Sequence, residues 1–219
     1  MKRRKIPNHN SAFTLLELLV VIAIIGVLAT LVVGVAGVAS RKMKEARVKA
    51  DLNNLITAIE SYKAEVGSYP SDNRLNLSDH RVHSSRNPLF YELSGAVFTN
   101  GNFKVLNHDE IVNSGHLRSV FGIGGIQNSS RDPRDVPYRR FNFKPSQFKE
   151  LDPILANGAD IELLAVPVKG PYMLKGKVGE FNPWFYDAST TNRHNRNGFD
   201  LWAEIELGDK ITVIGNWRN

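Results

Sequence analysis

The chain begins with a long apolar stretch that follows a short polar segment. Residues 13–39 form a run of 27 positions in which Glu17 is the only charged side chain. A transmembrane helix needs roughly 20 apolar residues, so this run is long enough to span a bilayer. We therefore predict a basic leader at residues 1–12, followed by a transmembrane helix at residues 13–39.

The apolar pattern changes after residue 40 without any signal that the helix ends. Apolar residues then recur at gaps of four and three, which places them on one face of a helix. These residues are Val48, Leu52, Leu55, Ile59, Tyr62 and Val66. Gly67 and Pro70 are the expected end signals. The pattern predicts an amphipathic continuation within residues 40–70, so that one helix runs from about residue 13 to residue 66.

The rest of the chain predicts a β-rich region that follows a polar segment. Residues 71–130 are irregular and polar, with short helices predicted at 88–94 and 109–120. Short strands are predicted at 136–143, 161–168, 184–187, 199–206 and 210–214, the last two joined by a tight turn. We expect an α+β fold: a long N-terminal α-helix packed on a small antiparallel β-sheet within residues 131–219, with a loop-rich insertion at 71–130.

The net charge of +6 arises mainly from the leader. Four basic residues at positions 2–5 precede the apolar run, and the remaining chain holds 24 basic and 22 acidic residues. A basic flank before an apolar span stays on the cytoplasmic side, so we predict a cytoplasmic N-terminus and no nucleic-acid partner. The lack of cysteine excludes thiolate metal sites and cysteine nucleophiles.

The junction between the leader and the apolar run carries a motif. Residues 11–17 read SAFTLLE, and Gly26 lies within the run. A small residue before Phe, with Glu four positions later, resembles the processing site of type IV prepilins and of pseudopilins. The family usually has Gly where this chain has Ala12, the nearest residue in size.

This resemblance implies an assembly mechanism. It implies that a prepilin peptidase cuts between Ala12 and Phe13, that Phe13 is N-methylated, and that Glu17 pairs with the Phe13 amine of a neighbouring subunit. An assembly ATPase and a platform protein would polymerise the subunits, with the helix at residues 13–39 in the filament core. An ionisable side chain inside a bilayer span is energetically costly, which supports a functional role for Glu17. The alternatives are that Glu17 snorkels to the interface, or that the N-terminus is an ordinary secretory signal.

Further segments resemble the major pseudopilin of type II secretion systems. Residues 62–70 (YKAEVGSYP) look like the end of its helix, and segments 132–138 and 198–217 look like parts of its C-terminal region. The resemblance covers residues 2–70 and, in patches, 131–219. It implies a single-pass subunit of the bacterial inner membrane, whose C-terminal domain is periplasmic and is assembled into a periplasmic filament.

Calcium is the one cofactor that the resemblance suggests. Major pseudopilins bind it in a C-terminal loop, which makes Asp200, Glu204 and Asp209 the candidate ligands here. Calcium takes about six to eight oxygen ligands, so the ligand count favours a solvated acidic hairpin instead. His80 and His83 have a metal-like spacing, but a polar surface loop is the preferred interpretation.

Three functions remain open. The first is a structural subunit of a type II secretion pseudopilus that drives protein export. The second is a type IV pilus or competence (DNA-uptake) pilin. The third is a signal-anchored periplasmic enzyme or binding module that does not polymerise. The sequence contains no catalytic triad, paired carboxylates or zinc motif, so we do not expect an enzyme.

Overall fold

The computed structural model describes residues 14–138, 141–191 and 193–217, apart from the side chains of residues 31–35. The predicted processing residues Ala12 and Phe13 lie outside this description. The chain divides into two compact units, Met1–Met43 and Lys44–Asn219. We call them the N-terminal unit and the C-terminal unit.

Helix α1 runs from Leu15 to Val66, which confirms the predicted long helix. It ends where Gly67 adopts a positive φ of 92° and donates its N–H to the carbonyl of Lys63, at 2.9 Å. In the N-terminal unit every side chain from residue 14 to residue 30 is exposed. Among the described residues, no helical stretch meets the combined length and apolarity that a membrane crossing requires.

The second part of α1 belongs to the C-terminal unit and buries its predicted stripe. Val48, Leu52, Leu55, Ile59 and Tyr62 are all buried in one hydrophobic core, and Val66 packs at its border. The same core contains apolar residues of the following helices and of the strands. The amphipathic pattern therefore identified the face that folds against the rest of the chain.

The other elements follow in chain order. The helices are α2 (His80–Ser85), α3 (Leu89–Ser94) and α4 (Ser114–Phe121). The strands are β1 (Ala96–Thr99), β2 (Asn102–Val105), β3 (Ile111–Asn113), β4 (Ser129–Ser130), β5 (Phe148–Glu150), β6 (Glu162–Val166), β7 (Leu174–Lys175), β8 (Glu180–Pro183), β9 (Phe185–Asp187), β10 (Asp200–Leu207) and β11 (Lys210–Gly215). A short 3₁₀ helix spans Pro133–Asp135.

The strands form three sheets in the part of the chain that the structure describes. Their orders are β3-β2-β1-β4, β5-β6-β8-β7 and β11-β10-β9, and we call the last one the C-terminal sheet. The strands pair in antiparallel fashion except β1 and β4, which are parallel. The α+β class is confirmed, but the strands are spread over several sheets and not gathered in one small antiparallel sheet.

Several element predictions are confirmed. The helix predicted at 88–94 is α3, with Pro88 at its N-cap. The predicted strands at 161–168, 184–187, 199–206 and 210–214 correspond to β6, β9, β10 and β11. The predicted turn joins β10 to β11 through Gly208, whose φ is 71°.

One element prediction is wrong in its start and another is wrong throughout, and in both a side chain bonds to the backbone in place of the expected backbone partner. The helix predicted at 109–120 starts only at Ser114, since the Asn113 side chain caps it by accepting the His116 N–H at 2.8 Å. The described residues of the strand predicted at 136–143 form no strand. Instead, the Asn128 side chain accepts the Tyr138 N–H at 2.9 Å and donates to the Tyr138 carbonyl at 2.7 Å.

Candidate functional site

The first turn of α1 places the single acid of the apolar run in a reciprocal cap. Glu17 Oε2 accepts the backbone N–H of Thr14 at 2.8 Å and its hydroxyl at 2.9 Å. The Glu17 N–H in turn donates to the Thr14 hydroxyl at 3.2 Å. This is a capping box, which satisfies backbone donors that a helix start leaves open. The spacing of Thr and Glu was the sequence signal for it.

The cap defines where the charge of Glu17 lies. The carboxylate is held beside the backbone of Thr14, the residue that directly follows Phe13. Negative charge is favourable at a helix N-terminus because of the unpaired N–H groups there. Glu17 is exposed, so its carboxylate is also accessible to a cation from another molecule.

The N-terminal unit carries exposed apolar side chains along the helix that starts at this carboxylate. Exposed Leu, Val and Ile side chains follow from position 15 to position 28, on all sides of the helix. An exposed apolar surface of this kind marks an interaction with lipid or with other proteins. The unit therefore combines one acid with an exposed apolar surface along residues 15–28.

A second candidate region lies on the outer face of the C-terminal sheet. A groove of about 790 Å³ is lined by His80, His194, Trp202, Trp217, Asp200 and Glu204, among others. Its volume falls in the range of small-ligand sites. The cross-strand partner of Trp202 is Gly215, which has no side chain, and the ring of Trp217 occupies the space above it.

Aromatic rings form a stacked wall in this groove. The rings of His194 and Trp217 are parallel, with centroids 4.2 Å apart. Trp217 meets the edge of Trp202 at 5.5 Å, and Trp202 stacks on Phe185 at 5.1 Å. Such arrangements stabilise aromatic pairs beyond the burial of their area. The groove thus has a rigid aromatic side.

The three predicted calcium ligands do not converge in the structure. Both oxygens of the buried Asp200 accept hydrogen bonds from residues 194 and 195, as detailed below. Glu204 forms an ion pair with Arg81, and Asp209 lies in the exposed β10–β11 turn. Among the described residues, no group of three or more His, Cys, Asp or Glu side chains is arranged to hold a metal ion.

The two histidines with metal-like spacing lie in α2 and not in a loop. His80 Nε2 is 2.8 Å from Asp187 Oδ2, and its ring stacks on Trp202 and on His83. His83 is buried, so it is not a surface residue. Their positions serve the packing of α2 on the C-terminal sheet.

Comparison with known proteins bears on the N-terminus alone. The family model for the prokaryotic N-terminal methylation motif matches residues 7–33. Searches of curated proteins and of solved structures found no match. The matched segment contains Ala12, Phe13 and Glu17 and covers 27 of the 219 residues.

Proposed function

We propose that this chain is a prepilin-type subunit that is cut between Ala12 and Phe13, methylated at the Phe13 amine, and polymerised into a filament. The match to the methylation motif at residues 7–33 is the observation that carries this proposal. The exposed apolar surface of α1 supports it, because such surfaces mark sites of interaction with lipid or with other proteins.

In this proposal the precursor inserts with its basic leader in the cytoplasm, and prepilin peptidase releases a new amine at Phe13. The subunit is held in the inner membrane by residues 13–39, with its C-terminal unit in the periplasm. An assembly ATPase and platform protein then transfer subunits into the filament. Lipid contacts of the apolar surface are replaced by contacts with neighbouring helices, so little of that surface meets water.

Glu17 sets the register between subunits in this mechanism. Its carboxylate, held in the capping box with Thr14, accepts the amine of Phe13 from the next subunit. Opposite charges attract much more strongly in a low-dielectric filament core than in water. A subunit that is shifted along the axis would leave both charges unpaired, which is strongly unfavourable.

Among filament classes, we propose the type II secretion pseudopilus, which drives protein export. The similarity of residues 62–70 and 198–217 to the major pseudopilin supports this choice. The alternative is a type IV pilus or competence pilin. In that case the segment 71–148, which contains helices α2, α3 and α4 and strands β1–β4, would be the binding surface. Neighbouring secretin and secretion ATPase genes would favour the pseudopilus, whereas retraction ATPase genes would favour a pilus.

The test compares Glu17→Ala with Thr14→Val in the full chain. We expect filament yield to fall about tenfold or more in Glu17→Ala, since a buried charge pair is lost. Thr14→Val removes the hydroxyl of the cap but keeps the carboxylate, so we expect only a small loss. Equal losses in both variants would contradict the pairing role, because capping alone would then explain the effect.

Processing is tested separately by mass spectrometry of the mature protein. We expect an N-terminus at Phe13 that carries one methyl group. A terminus at any other residue would overturn the cleavage proposal, whatever the filament assay shows.

A further inference from the structure

We propose that the β9–β10 loop, residues 188–199, is built around an internal cation, the guanidinium of Arg193, which occupies the place that a bound metal ion would otherwise have. The loop belongs to the C-terminal unit, and its structure does not depend on filament formation. Residue 192 lies outside the description, and the contacts below involve the other residues of the loop.

Four backbone carbonyl oxygens of the loop accept hydrogen bonds from this one side chain. Arg193 Nε donates to Thr190 O at 2.9 Å, and Nη1 donates to Ala188 O at 2.6 Å and to Gly198 O. Nη2 donates to Arg196 O at 3.3 Å. Carbonyl oxygens that point inward at one centre are the ligands that a hard cation takes. A guanidinium, with five N–H donors and a permanent charge, satisfies the same oxygens without a metal.

Two buried acids flank the loop, one at each end, and accept hydrogen bonds from its backbone N–H groups. Asp187 and Asp200 are in register across β9 and β10. Asp187 Oδ1 accepts the N–H groups of Ser189 at 3.1 Å and Thr190 at 2.9 Å. Asp200 accepts the N–H groups of His194 at 2.6 Å and Asn195 at 2.9 Å, and His194 Nδ1 lies 3.0 Å from Asp200 Oδ2.

This division of partners does not fit a calcium site. The carboxylate oxygens bind backbone N–H groups, while the carbonyl oxygens bind Arg193, so the two sets of oxygens do not share one centre. Calcium needs about six to eight oxygens around one point. Of the other predicted ligands, Glu204 is paired with Arg81 and Asp209 lies in the β10–β11 turn.

Arg193 is also a positioning residue for the groove on the C-terminal sheet. His194 follows it directly, and its backbone and ring are both held by Asp200. The ring then stacks on Trp217, 4.2 Å away. By fixing the loop on both sides of His194, the guanidinium fixes the aromatic wall of the groove.

The experiment uses hydrogen exchange of the loop amides in the full chain. Arg193→Ala is compared with Arg196→Ala, because Arg196 contributes its backbone carbonyl and has an exposed side chain. We expect the amides of His194 and Asn195 to exchange about tenfold faster or more in Arg193→Ala, since several charge-assisted hydrogen bonds are lost. Arg196→Ala should exchange like the wild type.

Chemical rescue separates a cation site from ordinary packing. Guanidinium chloride at about 20 mM, far below the molar concentrations that unfold proteins, should slow exchange in Arg193→Ala. The same concentration of sodium chloride should not. Unchanged exchange in Arg193→Ala, or faster exchange that guanidinium does not reverse, would overturn the proposal.

A further experiment uses the wild-type chain, so its result does not depend on whether the variant folds. We expect the same loop exchange and the same melting temperature with excess calcium and with a chelator, because the guanidinium already holds the loop. A loop that calcium protects and a chelator exposes would show that the site takes a metal, and would contradict our inference.

Discussion

The two parts of helix α1 differ in the pattern of their apolar residues and in whether these residues are exposed or buried. In the N-terminal unit the described side chains up to residue 30 are exposed on every face. In the C-terminal unit, side chains such as Ile59 and Tyr62 are fully buried by the chain's own core. Helices of this kind owe most of their stability to packing and not to propensity. The comparison indicates that the second part serves folding, while the first part is free to serve assembly.

Two carboxylates differ in the same way, since Glu17 is exposed and Glu92 is buried. Among the described residues, Glu17 accepts the local bonds of its capping box. Glu92 in α3 is buried and accepts the Tyr62 hydroxyl at 2.7 Å and the N–H groups of Gln127 and Asn128, each at 3.2 Å. One acid therefore remains available to a partner, whereas the other joins α1 to the loop before β4.

The largest expected effect is on the free energy of unfolding, when a large side chain is truncated in the second part of α1 and, as the control, in the first part. Tyr62 is 0% exposed and Leu19 is 52% exposed. Tyr62→Ala leaves a cavity and removes the hydroxyl that Glu92 accepts, so we expect it to lower the free energy of unfolding by about 4 kcal/mol. Leu19→Ala should change this free energy by less than about 0.5 kcal/mol. Urea denaturation in detergent, monitored by tryptophan fluorescence, measures both.

The second measurement on the Leu19 and Tyr62 variants is filament yield, for which Leu19 is the residue expected to matter. We expect Leu19→Ala to reduce assembly although it leaves unfolding unchanged, because its side chain lies on the exposed apolar surface. If Leu19→Ala destabilised the C-terminal unit as much as Tyr62→Ala does, the division of α1 into an assembling and a folding part would be wrong.

A smaller effect is expected at Glu92. Glu92→Ala leaves the Tyr62 hydroxyl and two backbone N–H groups without their acceptor, which should cost about 3 kcal/mol. Burial raises the pKa of Glu92 above its ordinary value of 4.5, against the opposing effect of these hydrogen bonds. The folded protein therefore binds more protons than the unfolded chain, and stability falls as pH rises above 4.5.

The conservative variant isolates this proton linkage. Glu92→Gln keeps an acceptor oxygen but cannot titrate, so we expect unfolding to lose part of its pH dependence above pH 4.5. A pH profile identical to that of the wild type would contradict the raised pKa of Glu92.

Sequence patterns predicted α1 well because its signals are periodic and local. The gaps of the apolar stripe, the position of Gly67 and the absence of proline all agreed on one helix. Residues 71–130 gave no such signal, since distant side-chain bonds organise them. The Asn73 side chain, for example, donates to the carbonyl of Arg86 at 2.7 Å and to that of Val120 at 3.3 Å. No local pattern encodes such contacts.

The candidate sites also differ in whether the sequence could predict them. Glu17 was identified from sequence because a charge within an apolar run is conspicuous. Arg193 was not, because an arginine in a polar loop looks like any solvated cation until four carbonyl oxygens are seen around it. The groove was also missed, since its rings come from α2, the β9–β10 loop, β10 and the C-terminal end of the chain.

The smallest expected effect is a pH dependence of unfolding that arises from the C-terminal unit and not from the N-terminal unit. Glu162 in β6 lies opposite Glu150 in β5. Burial, helped by repulsion from Glu110, Glu150 and Asp160 and opposed by Lys177, raises the pKa of Glu162 to about 7. The folded state therefore keeps this proton longer than the unfolded chain does, and stability decreases as pH rises from about 4.5 to about 7.

Glu162→Gln should remove this decrease and stabilise the protein at pH 8 by about 0.5 kcal/mol, the size expected for removing a like-charge cross-strand pair. Glu17→Gln is the matched control, because Glu17 is the only ionisable side chain between residues 14 and 40. It should weaken assembly and leave the pH profile of unfolding unchanged. The free energies of unfolding of the wild type and of the two variants, measured between pH 5 and pH 8, test this expectation.

If Glu162→Gln kept the wild-type dependence of the free energy of unfolding on pH, that dependence would have to arise from another group, such as Glu92. If Glu17→Gln altered the slope, the N-terminal unit would be coupled to folding, and its exposed surface could not be reserved for assembly alone.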